Sequence, residues 1–75
     1  MEPNPLKTYE YWRERATGHV WAIELVDGVV VGCCGPLDRD ELEERFLPTL
    51  DYSGELAAWA ESTREDFEPY PLIPA

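Results

Sequence analysis

Between residues 7 and 34 apolar positions recur with a period of two, the spacing of a pleated strand with one face turned to a core. Three runs carry the pattern. The first, over 8–15 (TYEYWRER), puts Tyr9, Tyr11, Arg13 and Arg15 on one face, and its aromatics suit a pleated surface. Ala16-Thr17-Gly18 follows as a three-residue turn. The second run, 19–26 (HVWAIELV), sets Trp21, Ile23 and Leu25 against Val20, Ala22, Glu24 and Val26. The charge in the second set makes the first set the core face. The third run, 29–34 (VVVGCC), follows Asp27-Gly28, a pair suited to a type I′ turn because both central residues need positive φ. That turn places Leu25 opposite Val30, Ile23 opposite Gly32 and Trp21 opposite Cys34. Gly32 then leaves room for larger neighbours or marks a bulge.

After Gly35-Pro36 the period changes to that of a helix. Asp38 is a good N-cap, and Glu41 three residues later completes a capping box. Leu37 before the cap and Leu42 at the fourth helical position make a hydrophobic staple. Leu42, Phe46 and Leu47 form the apolar side and Pro48 stops the helix, which is expected over 38–47. A second helix, capped by Ser53 or Asp51, is expected over 54–67. Its residues Leu56, Trp59, Ala60, Thr63 and Phe67 follow one amphipathic stripe, with Glu55, Ser62, Glu65 and Asp66 opposite, and Pro69 breaks it. Residues 1–6 read as a flexible lead-in and 69–75 as an extended proline-rich tail. The expected fold is therefore a single small α+β domain spanning 1–75. In it a three-stranded antiparallel meander (8–15, 19–26, 29–34) precedes two helices (38–47, 54–67) packed on one face of the sheet.

Composition adds two constraints. Seventy-five residues sit near the lower size limit for a domain without staples, where only about 60% of the unfolded surface is buried. Three Trp, four Tyr and two Phe offset this, and an apolar content of 44% opposes disorder despite a net charge of −10. The charge is unevenly placed. Residues 1–37 carry five acids and three bases, whereas residues 38–68 carry eleven acids and three bases. Binding to nucleic acid or to an anionic membrane is disfavoured by that field. The start, MEPNPLKTYEYW, lacks the basic and apolar regions of a signal peptide, and no apolar run is long enough to cross a bilayer, so a cytoplasmic protein is expected.

Chemistry-bearing groups are few. Cys33-Cys34 and His19 are the soft ligands of the chain, one short of a structural zinc set, and strand alternation turns adjacent cysteines to opposite faces. Neither thiol has a basic neighbour in sequence to lower its pKa. His19 has no nucleophile or orienting partner within a recognisable motif. Glu14 and Glu24 lie on neighbouring strands, yet nothing separates that pair from the other acids. No catalytic residue, metal site or cofactor is expected, and the chain does not read as an enzyme.

What remains is surface. Asp40, Glu43 and Glu44 crowd the first helix, and Glu61 and Glu65 decorate the second; together they suit a protein partner with a basic surface. Plain solubility is the simplest alternative use of the same charge. Val29 and Val31 lie on an edge strand without charged guards, which invites strand addition or homo-oligomerisation. Tyr70 and Leu72 supply an apolar extended tail. The functional expectation is a non-catalytic protein-interaction module acting through these residues, with homodimerisation through the edge. Its runner-up is an acidic inhibitor that imitates nucleic acid in a basic site.

Overall fold

The computed structural model describes residues 7–44 and 49–71. Four antiparallel strands form one sheet: β1 (Lys7–Glu14), β2 (Val20–Val26), β3 (Val29–Leu37) and β4 (Phe67–Pro69), in the order β3-β2-β1-β4. A short helix α1 (Arg39–Glu44) follows β3. Helix α2 (Gly54–Ser62) and one 3-10 turn (Arg64–Asp66) precede β4.

The expected three strands followed by two helices on one face is thus overturned in three respects. A fourth strand exists, α2 is the single described helix longer than six residues, and the sheet is covered on both faces. The mixed α+β character stands. Helix α2 ends at Ser62 rather than 67 because its last side chains turn back on their own backbone. The Ser62 hydroxyl donates to Trp59 O at 2.9 Å, and the Thr63 hydroxyl donates to the same carbonyl at 2.8 Å, beside the last ladder bond from the Thr63 amide. Such bonds compete with continuation of the helical ladder. The chain then turns, and Phe67–Pro69 pairs with β1 through Trp12 opposite Pro69, Arg13 opposite Glu68 and Glu14 opposite Phe67. The tail expected to be irregular from 69 onward therefore begins as a strand end, and the Tyr70 amide extends the pairing by donating to Tyr11 O at 2.9 Å. The lead-in 1–6, the helix end at 45–47 with Pro48, and residues 72–75 of the tail lie outside the described residues.

Several local signals act as their chemistry dictates. Asp27 and Gly28 both take positive φ, 53° and 80°, as a type I′ turn requires. The Glu41 amide donates to Asp38 Oδ1 at 2.8 Å, and Asp38 N–H donates back to Glu41 Oε1 at 3.3 Å, a complete capping box. Ser53 caps α2 by accepting from Leu56 N–H at 3.2 Å. The register beyond the turn is shifted, however. Leu25 faces Val30, but Glu24 faces Gly32, leaving Val31 as an extra residue; Ile23 then faces Cys33 and Ala22 faces Cys34. A second irregularity separates the Val20–Leu37 and Ala22–Cys34 pairs, around the cis Gly35-Pro36 bond. A Cβ at Gly35 would sit 2.8 Å from the Trp21 ring, so only glycine permits that approach.

The two faces have different inventories. On one, Trp12, Trp21, Ile23, Leu25, Val30 and Cys33 pack with Phe67 beneath Ala57 and Ala60 of α2, with Leu56 and Trp59 alongside. Small alanines let the helix backbone approach the sheet closely, and the Trp21 and Trp59 rings meet edge to face at 5.0 Å. On the other face Tyr11, Val20, Ala22 and Leu37 are buried beneath Leu42 of α1, Leu50, Tyr52 and Tyr70. β2 runs between the two layers and is buried almost throughout, Ala22 and Ile23 completely so.

Candidate interaction surface

Helix α2 lies against β3, and its Glu61 reaches the hairpin end of that strand. Ser53 forms both bonds of an antiparallel bridge with Cys33, Cys33 N–H to Ser53 O at 3.2 Å and Ser53 N–H to Cys33 O at 2.9 Å. Nearer the hairpin, Glu61 Oε2 accepts from the Val30 amide at 2.9 Å. Arg64 Nη1 donates to Gly28 O at 3.1 Å and to the Glu61 carboxylate at 3.1 and 3.3 Å. The Val30 amide is the leading cause that holds the Glu61 carboxyl below its ordinary value, with the Arg64 guanidinium adding to it. Glu61 is therefore turned inward onto the sheet edge. Its position one turn beyond the buried Ala57 is the sequence signal that could have revealed this.

The valines are where the pattern put them. Val29 and Val31 are 54% and 41% exposed, the large hydrophobic residues left exposed among the described ones. Their strand is the sheet's outer strand, but it is not unguarded: the side chains of Glu61 and Arg64 stand along it.

The remaining sequence-selected residues are dispersed. Asp40 is exposed in the first turn of α1, and Glu43 and Glu44 belong to the same helix. Glu65 is exposed on the 3-10 turn. Tyr70 is half-buried, edge-on to Tyr11 at 6.4 Å. It borders a shallow hollow of about 240 Å³ shared with Tyr9, Glu10, Tyr11, Pro69 and Pro71. Leu72 lies outside the described residues.

Cations are largely committed within the fold. Lys7 Nζ lies 3.7 Å from Glu24, whose carboxylate also accepts from the Tyr9 hydroxyl at 3.2 Å. Arg13 pairs with Glu68, and Arg15 donates to the carbonyls of Glu65 and Phe67 at 2.7 and 3.1 Å. Arg64 also stacks over the Trp12 ring at 5.2 Å. Exposed carboxylates on Asp40, Glu55, Glu65 and Asp66 stand outside these pairings.

The thiols occupy opposite faces, as strand alternation requires. Cys33 is fully buried on the tryptophan side, where desolvation pushes its pKa up to about 12. A thiol so placed stays protonated and inert at neutral pH. Cys34 is half-buried on the tyrosine side, and His19 is exposed on the turn before β2. Among the described residues no three His, Cys, Asp or Glu side chains gather in a metal-binding group, and no helix is long and apolar enough to cross a membrane.

No protein-family model, curated protein or solved structure matches the chain.

Proposed function

We propose that this chain is a small, non-catalytic cytoplasmic module that binds a protein partner through its acidic surface. The observation that carries the reading is the fate of the cations. Lys7, Arg13, Arg15 and Arg64 are each held by a carboxylate or a backbone carbonyl of the same fold, whereas Asp40, Glu55, Glu65 and Asp66 face water. A chain of net charge −10 with four of its six cations engaged internally projects a field that steers a basic surface toward it. Cys33 and Cys34 are reduced thiols, which suit a reducing compartment. The acidic surface is favoured over strand addition because the outward amide of Val30 and carbonyl of Gly28 already have intramolecular partners.

The test is capture of partners on immobilised protein at about 0.05 M and about 0.5 M salt, where screening lengths differ several-fold. The wild-type chain is compared with an Asp40→Asn/Glu43→Gln/Glu44→Gln/Glu65→Gln variant. The expected partner is retained at low salt, released at high salt and weakened by the variant. Binding that ignores both salt and the substitutions overturns the proposal. Displacement of the captured partner by duplex DNA or RNA would identify the site as one that nucleic acid normally fills, the phosphate-imitating form of the same reading.

A further inference from the structure

We propose that Glu61 and Arg64 act as a guard that keeps the outer edge of β3 from pairing with β3 of a second copy of the chain. The inference is independent of the acidic-surface reading, because it concerns backbone groups rather than net charge. An edge strand offers a row of unpaired amides and carbonyls, and proteins close such edges with charge, proline, bulges or a covering element. From Val29 to Leu37 β3 carries no charged residue of its own. Near the hairpin it presents two exposed valines on a strand that is outermost in the sheet. An uncharged apolar strand of this kind is self-complementary about a two-fold axis, which makes a second copy the natural occupant.

The edge is closed from one side by α2 and the turn that follows it. The Val30 amide is taken by Glu61 Oε2 at 2.9 Å and the Gly28 carbonyl by Arg64 Nη1 at 3.1 Å. The guanidinium also grips the carboxylate at 3.1 and 3.3 Å, so each guard side chain orients the other. Farther along, Ser53 occupies both backbone groups of Cys33. The guard is the removable part of this closure. Ser53 acts through its backbone, whereas Glu61 and Arg64 act through side chains 39% and 44% exposed, which a competing strand can displace. Opening the edge needs no change in the sheet.

Sedimentation velocity at about 0.5 M salt, where repulsion between the acidic copies is screened, tests the guard. Glu61→Ala frees the Val30 amide in both copies and is expected to strengthen self-association by roughly ten- to a hundredfold, the effect of two freed edge bonds. Glu61→Gln, which keeps an acceptor oxygen at the same reach, is expected to stay close to wild type. Val29→Lys/Val31→Lys in the Glu61→Ala background is expected to restore the monomer. A folded Glu61→Ala chain that remains as monomeric as wild type overturns the proposal. So does self-association that survives the two lysines. Circular dichroism establishes that each variant folds, and Arg64→Ala carries the same test should Glu61→Ala lose its structure.

Discussion

The two faces of the sheet solve the same burial problem with different materials. All three tryptophans, Trp12, Trp21 and Trp59, gather with Phe67 on the face covered by α2. All four tyrosines, Tyr9, Tyr11, Tyr52 and Tyr70, belong to the other face, which is covered by α1, the segment around Leu50 and the residue after β4. The tryptophan face is closed by a regular helix whose alanines contribute almost no side-chain volume, so the large rings fill the layer themselves. The tyrosine face is closed by irregular pieces, and its rings carry polar hydroxyls, of which Tyr9 donates one to Glu24. A helix gives continuous apolar cover. Short segments give patchwork, and amphipathic rings tolerate the gaps.

Three measurements break or sharpen that contrast. The largest effect is expected from Ile23→Ala, which empties a fully buried site on the tryptophan face and lowers stability by about 2–5 kcal/mol. For a chain of this length that approaches the whole of its expected stability. Leu42→Ala, in the half-buried cover of the opposite face, is expected to cost no more than about 2 kcal/mol, because part of that side chain is already in water. Urea unfolding of both variants decides it; equal losses would mean that the two layers are equally essential. Next comes Gly32→Ala. A methyl group there would meet Tyr52 Cβ at 2.7 Å and Glu24 Oε1 at 2.9 Å, so overpacking of the tyrosine face is expected to cost about 1–3 kcal/mol. An unchanged urea midpoint would show that Tyr52 moves aside freely.

The third leaves neutral stability untouched and appears only in alkali. Burial raises the pKa values of Tyr11 and Tyr52 above 10.0 and pushes Cys33 from 9.0 to about 12. A group whose folded pKa is raised holds its proton more tightly when folded. Its stabilising contribution is complete below the unfolded pKa and is lost as pH climbs through the folded one. Stability should therefore decline from about pH 9 toward pH 12, with the tyrosinate absorbance of Tyr11 and Tyr52 developing late and together with unfolding. Tyr11 and Tyr52 titrating as free phenols in a still-folded chain would contradict the tyrosine face as described.

How much of this was legible depended on the range of the interaction. The Asp27-Gly28 turn and the Asp38/Glu41 box are set by backbone chemistry within four residues, and both formed as the sequence indicates. The bulge at Val31 was legible only as an option at Gly32. The room that glycine provides serves Tyr52, on the face opposite to Ile23. The second buried face was hidden by Glu24, whose charge suggested solvent. In the fold that carboxylate is met by Lys7 and Tyr9, so the charge is accommodated rather than excluded. β4 was illegible because three residues ending in proline carry no strand signature. Phe67 continued the helical spacing from Trp59, and it does reach Trp59, with rings 5.4 Å apart, but from a strand rather than from the helix. The acidic residues were legible as a class, yet only the fold separates Glu61, which guards the edge, from Asp40 and Glu65, which face water.

The pairing of β4 with β1 also imposes an order on synthesis. Arg13 meets Glu68 across 55 residues, whereas the β1–β2–β3 meander can assemble from neighbours alone. While the chain emerges from the ribosome, β1 is therefore an exposed border of a half-finished sheet, and Trp12 lacks the Phe67 ring that will cover it. Completion waits until Phe67–Pro69 has been translated. A nascent or truncated chain ending before Phe67 would carry an open strand at the opposite border from the one that Glu61 and Arg64 close.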